Sequence, residues 1–174
     1  MVGPRTRTTW ILCLAAVYAA LPAGAHAQAA PGGAFPSLAS AGLAGASLPE
    51  TSGRVVLYDF WASWCAPCKA SFPVYSRIQS DYAARGLVIV AVGVDDTASA
   101  FATFVARMKP SFATVHDARH ALVATVQVPT MPTSYLVDRA GKVRFMHPGF
   151  HGDQTDRDLR REIDLLLAEK PPAP

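Results

Sequence analysis

The sequence predicts an α/β fold in which helices flank a central mixed sheet. Two nearly continuous apolar runs, residues 54–61 and 87–94, have the composition of strands that are covered on both faces. Each is followed by a segment with helical spacing of apolar residues, and this order implies parallel strands joined by right-handed crossovers. Residues 133–137 and 142–147 alternate around the turn-forming residues 138–141, so an antiparallel hairpin is expected to complete the sheet.

The remaining elements are predicted from weaker patterns. The first predicted helix starts at Pro67, contains a kink at Pro73 and stops at residues 85–86. Before it, residues 35–38 and 46–48 could form two short edge strands, a short N-terminal β extension. The other predicted elements are a helix over 98–108 capped by residues 95–97, a strand over 112–116, a helix over 118–126, and a last helix that has Asp153 as its N-cap and ends before Pro171.

The first 27 residues have the layout of an export signal. Arg5 and Arg7 precede an apolar run over residues 10–21, and residues 25–27 (Ala-His-Ala) have the small-x-small form of a signal-peptidase site. The alternative is a retained membrane anchor, but twelve residues of helix span roughly 18 Å, against about 30 Å of hydrocarbon. We therefore predict an exported, periplasmic protein that is soluble after cleavage near Ala27, or membrane-tethered if the signal is retained.

The rest of the chain is predicted to be one domain. The full chain has 174 residues, 51% of them hydrophobic, which is enough for one substantial core. Residues 28–34 are small and rich in Pro and Gly, which predicts a flexible tether, and residues 170–174 are predicted to be a disordered tail. The domain then covers residues 35–169. Without the two signal-segment arginines the charge is nearly balanced, and no basic run indicates a nucleic-acid partner.

The cysteines indicate redox chemistry. Cys13 lies in the signal segment, which leaves Cys65 and Cys68 in the sequence Cys-Ala-Pro-Cys. A disulfide that closes so short a loop adds little stability, so reversible chemistry is the better explanation for the pair. The pair opens a predicted helix, and a helix N-terminus favours thiolate over thiol. We expect Cys65 to ionise near neutral pH and to act as the nucleophile, with Cys68 as the resolving thiol.

Two stretches carry a family resemblance. Residues 59–69 (Asp-Phe-Trp-Ala-Ser-Trp-Cys-Ala-Pro-Cys-Lys), with Pro73 beyond them, and residues 128–138 (Val-Pro-Thr-Met-Pro-Thr-Ser-Tyr-Leu-Val-Asp) resemble the thioredoxin superfamily. Within it, the pattern is similar to the exported TlpA/ResA-like thiol-disulfide oxidoreductases, the group that includes the CcmG/DsbE proteins of cytochrome c maturation. The resemblance covers about residues 35–167.

The resemblance implies a thioredoxin-like fold and a set of site residues. It implies that Pro132, rather than Pro129, is cis and lies against the cysteine pair, where Met131 offers its backbone to an incoming peptide. Trp64 and Thr130 are expected beside the same substrate. Pro67 would influence the reduction potential.

The resemblance also implies an activity. It favours a disulfide reductase of protein substrates, recharged by a membrane electron donor of DsbD/CcdA type. No organic cofactor is expected, because the sequence has no Gly-rich nucleotide loop. Apocytochrome c, a copper chaperone and general periplasmic disulfides all remain open as substrates.

Asp59 lies six residues before Cys65 in an apolar strand. An unpaired carboxylate there costs several kcal/mol of desolvation, so its pKa should be raised. The position matches the buried acid of thioredoxin, where many TlpA-like proteins have Asn, and we expect Asp59 to accept the proton of Cys68. The alternative is an acid that reaches solvent at a strand end.

Three further residues have two interpretations each. Asp96 aligns with an acidic residue near the active site of ResA-like proteins, where Glu is usual, but capping of the following helix is at least as good an explanation. Trp61 and Trp64 are expected to contribute packing rather than chemistry, with Trp64 the better candidate for shielding the sulfurs.

A copper or zinc carrier is the alternative function. Cys65 and Cys68 are soft ligands, and the pairs His116/His120 and His147/His151 are each four residues apart. However, His116 follows Cys68 by 48 positions, and most such histidines lie on the surface, so we predict no metal site.

Overall fold

A computed structural model of the protein describes Gly3 and residues 29–170. In this part of the chain, six strands form one sheet in the order β1-β4-β3-β2-β5-β6. The strands are β1 (Ala44–Gly45), β2 (Val55–Trp61), β3 (Leu87–Gly93), β4 (Ala113–His116), β5 (Thr133–Val137) and β6 (Val143–Pro148). The predicted export signal, residues 1–27, lies outside the described residues apart from Gly3.

The sheet is mixed, as the sequence predicts. Strands β2, β3 and β4 are parallel neighbours, whereas β5 runs antiparallel to β2, β6 to β5, and β1 to β4. Strand β2 therefore lies in the middle of the sheet, and all seven of its residues are buried. This placement explains its almost continuously apolar sequence.

Four helices connect and flank the described strands. They are α1 (Ala66–Tyr82), which contains Pro73, α2 (Ala98–Met108), α3 (Ala121–Val126) and α4 (Asp153–Ala168). A 3-10 turn, Ala83–Arg85, extends α1 and ends at Gly86, whose φ of 105° is the left-handed conformation that glycine adopts without strain. No helix among the described residues is both long and apolar enough to cross a bilayer.

The N-terminal part of the domain differs from the prediction. Residues 35–38 and 46–48 are not strands: a 3-10 turn covers Leu38–Ser40, and the edge strand is Ala44–Gly45. Residues 29–34, the described part of the predicted flexible tether, are hydrogen-bonded to the domain. The N–H of Gly32 donates to the carbonyl oxygen of Val143, and the carbonyl oxygen of Gly33 accepts a hydrogen bond from the N–H of Val143. The Pro/Gly composition predicts flexibility but carries no information on backbone partners further along the chain.

The N-cap of α2 lies within the predicted residues 95–97, whereas the N-cap of α4 differs from the prediction. The N-cap of α2 is Thr97, whose Oγ1 accepts a hydrogen bond from the N–H of Ala100, and Asp96 does not cap the helix. The N-cap of α4 is Gly152, and Asp153 is instead the first helical residue. An acid in the first turn still favours the helix through its dipole, which accounts for the similar sequence signal.

Gly93, at the end of β3, leaves room for the aromatic layer between the sheet and α2. A Cβ at this position would lie 2.7 Å from Cδ2 of Phe101 and 2.8 Å from Cζ2 of Trp61. The two rings stack with centroids 5.5 Å apart, and Trp61 is fully buried. Only a residue without a Cβ permits this packing beneath the loop that leads to Cys65.

Replacing Gly93 with alanine is therefore expected to destabilise the protein by about 2 kcal/mol, because rigid rings must move in a close-packed core. Denaturant unfolding of Gly93→Ala measures the loss. In a Phe101→Leu background, where one ring is gone, the same substitution should cost clearly less. Equal costs in the two backgrounds would contradict the steric explanation.

Candidate active site

Cys65 and Cys68 form a disulfide at the N-terminus of α1. Cys65 is the N-cap residue, and its Sγ accepts a hydrogen bond of 3.2 Å from the N–H of Cys68. Cys65 keeps 4% of its surface exposed and Cys68 none. The first sulfur therefore lies where helix N–H groups and the helix dipole stabilise a negative charge, and the second lies behind it.

The loop before Cys65 is fixed by Asp95, which follows the last residues of β3. Its Oδ1 accepts hydrogen bonds from the N–H of Ser63 at 3.0 Å and from the Ser63 hydroxyl at 2.7 Å. The N–H of Val94 donates to the carbonyl oxygen of Trp61 at 2.9 Å, which ties the same two segments together. Sequence reasoning placed Asp95 only in the cap of the next helix and missed its contact with the active-site loop, although a carboxylate directly after an apolar run was a visible signal.

Asp59 is completely buried in the centre of β2. The alternative of an acid that reaches solvent at a strand end is therefore wrong. Burial raises the pKa of the Asp59 carboxyl to about 8, and the hydroxyl groups of Ser134 and Tyr75 oppose this rise. At pH 7 roughly one tenth of such a group is ionised.

A buried polar cluster surrounds Asp59 on the face of the sheet that α1 covers. Ser134, directly opposite Asp59 on β5, donates a hydrogen bond of 2.8 Å to its Oδ1. The Tyr75 hydroxyl lies 2.8 Å from the Ser134 hydroxyl. The Ser71 hydroxyl is close enough to lower the pKa of Tyr75, and it donates to the carbonyl oxygen of Cys68 at 3.0 Å. A chain of polar contacts thus runs from the helix turn that carries Cys68 to Asp59.

The sequence analysis did not single out Ser71, Tyr75 and Ser134. Ser71 and Tyr75 lie three and seven positions after Cys68, on the same helix face, which is a signal that could have been used. Ser134 had no comparable local signal, because its proximity to Asp59 depends on the register between β5 and β2.

The loop before β5 contains the predicted cis bond, between Met131 and Pro132. The carbonyl oxygen of Pro132 accepts a hydrogen bond of 2.7 Å from Gly149, and the Thr133 hydroxyl donates to the carbonyl oxygen of Thr130 at 2.8 Å. Among the described residues, the backbone N–H and C=O of Met131 have no hydrogen-bond partner. Thr130 is exposed and Met131 partly exposed, so this backbone is accessible at the end of β5.

The other predicted residues lie around the disulfide with different exposures. Trp61 is buried and packs edge-on against Phe72, as expected of a packing residue. Trp64 is 68% exposed, so the predicted packing role is wrong for it. Pro67 is exposed in the first turn of α1.

Asp96 is a surface residue and is not part of the buried polar cluster around Asp59. Its side chain is 90% exposed, and its Oδ1 lies 3.8 Å from Nε2 of His120. It is the neighbouring residue, Asp95, that is buried and hydrogen-bonded to the active-site loop.

The histidines have partners other than the cysteines. His116 is buried, contrary to the expectation of a surface residue, and its Nε2 lies 2.7 Å from the carbonyl oxygen of Asp95. Nε2 of His147 lies 2.6 Å from Glu162. Within residues 29–170, no group of three or more His, Cys, Asp or Glu side chains is arranged to hold a metal ion.

Comparisons with known proteins agree with this geometry. A family model described as thioredoxin-like matches residues 53–143. Thiol-disulfide oxidoreductase ResA of Bacillus thuringiensis subsp. konkukian is 31% identical over 119 residues, which cover 68% of this chain and 67% of that protein. The Bacillus cereus ResA protein is 32% identical over 96 residues, and the match spans only 56% of its length and 55% of this chain.

Solved structures include similar proteins. The crystal structure of a putative thiol:disulfide interchange protein DsbE from Chlorobium tepidum superposes with a TM-score of 0.66 at 37% identity, covering 68% of this chain and 83% of that one. The matched family model includes β2, the cysteine pair and the cis-Pro132 loop. The chain therefore belongs to the thioredoxin-like family.

Proposed function

We propose that the protein is a thiol-disulfide oxidoreductase that reduces disulfides in protein substrates in the cell envelope. The observation that carries this proposal is the Cys65–Cys68 disulfide at the N-terminus of α1, together with the completely buried Asp59 in the adjoining strand β2. Similarity to proteins named thiol-disulfide oxidoreductase ResA and thiol:disulfide interchange protein DsbE supports it. The redox group is the cysteine pair itself, and the exchange requires no organic cofactor.

The first step is attack by the Cys65 thiolate on a substrate disulfide. One substrate sulfur leaves as a thiolate with the electron pair of the broken bond, and the other is joined to Cys65 in a mixed disulfide. The N-cap position of Cys65 supports this role, because the helix N-terminus stabilises the attacking thiolate.

The second step releases the substrate. Asp59 takes the proton of the Cys68 thiol, and the Cys68 thiolate attacks Sγ of Cys65. The Cys65–Cys68 disulfide forms, and the second substrate sulfur leaves as a thiolate. The cysteine pair loses two electrons and the substrate disulfide gains them, so a donor must reduce the pair again. A membrane protein of DsbD/CcdA type is the donor that the family resemblance suggests.

The loop at Pro132 is proposed to bind the substrate chain. Among the described residues the backbone N–H and C=O of Met131 have no partner, and the next residue is an imino acid that cannot donate. An extended peptide can therefore pair with Met131 as an added strand. The exposed Trp64 and Thr130 would contact the residues next to the substrate disulfide. Apocytochrome c and copper-chaperone cysteines are substrates of the proposed class.

The proposal is tested by equilibrating the purified protein with dithiol buffers of graded potential and counting free thiols by alkylation and mass spectrometry. One two-electron transition is expected between about −270 and −120 mV, the range of thioredoxin-like proteins. The protein should also catalyse reduction of insulin disulfides by dithiothreitol, and Cys65→Ser should reduce that rate to the uncatalysed level.

Metal analysis of the reduced protein tests the competing function. A copper or zinc carrier would retain about one metal ion per chain and leave insulin reduction at the uncatalysed level. That result, or the absence of any redox transition, would contradict the proposed function.

A further inference from the structure

We propose that Ser134 and Tyr75 are positioning residues for Asp59, forming a hydrogen-bond chain that stabilises its carboxylate and leaves Oδ2 free to take the proton of Cys68. This inference rests on the proposed function, and it assigns a task to two residues that the disulfide exchange itself does not use. Both residues are buried to at least 99% and lie within one polar cluster with Asp59.

The direction of the chain follows from counting hydrogens. A serine hydroxyl carries one hydrogen, and that of Ser134 is donated to Oδ1 of Asp59 at 2.8 Å. The Tyr75 hydroxyl, 2.8 Å from the Ser134 oxygen, must then be the donor in their hydrogen bond. Both hydroxyl groups therefore direct their hydrogens toward the carboxylate, and such chains polarise one another in a low-dielectric interior.

The two carboxylate oxygens of Asp59 have different surroundings. Oδ1 accepts the hydrogen bond from Ser134, whereas Oδ2 is buried and has no hydrogen-bond partner among the described residues. A buried carboxylate oxygen without a partner is costly unless it binds a proton. The arrangement thus separates an anchoring oxygen from a proton-accepting one.

Two opposing effects set the basicity of Asp59. Desolvation raises its pKa to about 8, and the hydroxyl groups of Ser134 and Tyr75 act in the opposite direction. A general base works best when its pKa lies near the operating pH. Without the hydroxyl chain the carboxylate would be ionised more rarely at neutral pH, and Cys68 would lose its acceptor.

The groups that face Asp59 are few. Tyr75 on α1 is titratable, and burial together with the negative charge of Asp59 raises its pKa well above the usual value, so it stays neutral. The residues paired with Asp59 in the sheet are Ala91 on β3 and Ser134 on β5, neither of which titrates. No fixed charge is among the groups that shift the pKa of Asp59, so its pKa depends on these hydrogen bonds and on burial.

Single-turnover reaction of the reduced protein with excess dithiobis(nitrobenzoate) separates the two steps. Attack by Cys65 releases one coloured thiolate, and resolution by Cys68 releases the second, so the second phase reports the step that needs Asp59. In the wild-type protein the rate of the second phase should increase with pH, and the midpoint of this increase should lie near pH 8. Asp59→Asn should abolish this dependence.

Ser134→Ala should move the midpoint of the pH dependence upward. The second phase should then be about tenfold slower than in the wild-type protein at pH 7 and approach the wild-type rate at pH 9.5. Tyr75→Phe should move the midpoint in the same direction and slow the second phase about threefold at pH 7. Ser134→Thr keeps the hydroxyl and should restore the wild-type profile. The first phase should stay unchanged in all three variants.

Two results would overturn the inference: an unchanged midpoint in both Ser134→Ala and Tyr75→Phe, or an equal slowing at every pH, which indicates a structural role. Tyr75→Phe removes only the hydroxyl group and keeps the ring in the core, so the test stays valid if Ser134→Ala fails to fold. Absence of both colour-releasing phases in the wild-type protein would instead contradict the proposed function.

Discussion

Asp59→Asn is expected to stabilise the oxidised protein against unfolding, and the gain should grow by on the order of 4 kcal/mol between pH 5 and pH 8. The cause is the buried carboxyl of Asp59, whose pKa is about 8 in the folded protein and near its usual value of 3.8 in the unfolded chain. In this pH range the unfolded chain has an ionised Asp59 and the folded protein a protonated one.

The sign follows from proton binding. Because the folded protein holds the extra proton, wild-type stability falls as the pH rises from about 4 to 8, by at most about 1.4 kcal/mol per pH unit. Asparagine does not titrate, so its contribution is the same at every pH. The difference between the two proteins therefore widens over this window and becomes constant above it.

Denaturant unfolding at pH 5, 6, 7 and 8, with the disulfide intact, measures this difference. Asp96→Asn is the matched control, since it removes an acid whose side chain is 90% exposed and is solvated in both states. A stability difference for Asp59→Asn that is the same at all four pH values would show that Asp59 is ionised in the folded protein.

The sheet could be predicted from the sequence because its strands have strong local signals. The apolar runs at residues 54–61 and 87–94 became β2 and β3 with boundaries within one residue, and the hairpin around residues 138–141 became β5 and β6. In each case burial on both faces, or an alternating pattern beside a turn, determines the residue types directly.

The N-terminal segment could not be predicted in the same way. Its short, Ala-rich sequence has no periodicity, and its conformation depends on partners more than 100 residues away, such as Val143 for Gly32 and Gly33. The ring of Phe35 stacks on Tyr58 with centroids 4.1 Å apart, which also depends on tertiary packing alone.

The candidate site was predictable in its reactive atoms but not in their surroundings. Cys65, Cys68, Asp59 and the cis bond before Pro132 each have a strong sequence signal or a family counterpart. The groups that orient them are ordinary hydroxyl and carboxyl residues, and their proximity arises from strand register and from the turn after β3.

Cys68→Ala is expected to abolish turnover and to convert the protein into a trap for its substrates. Cys68 lies directly behind Cys65, within hydrogen-bond distance through its own N–H, and is completely buried. A thiolate held in reacting geometry can have an effective molarity of about 10⁵ M or more. Without the Cys68 thiolate, millimolar external thiol must release the substrate. The mixed disulfide should therefore persist at least about 10³-fold longer than in the wild-type protein.

Non-reducing electrophoresis of cell-envelope extracts, followed by mass spectrometry, detects the trapped complexes and identifies the substrates. Cys65→Ala is the matched control, because it retains one cysteine of the pair but lacks the nucleophile and should trap nothing. If Cys65→Ala traps the same proteins as Cys68→Ala, the order of attack is reversed. If Cys68→Ala reduces insulin at the wild-type rate, substrate release does not require a second protein thiol, and Asp59 then has no proton to accept.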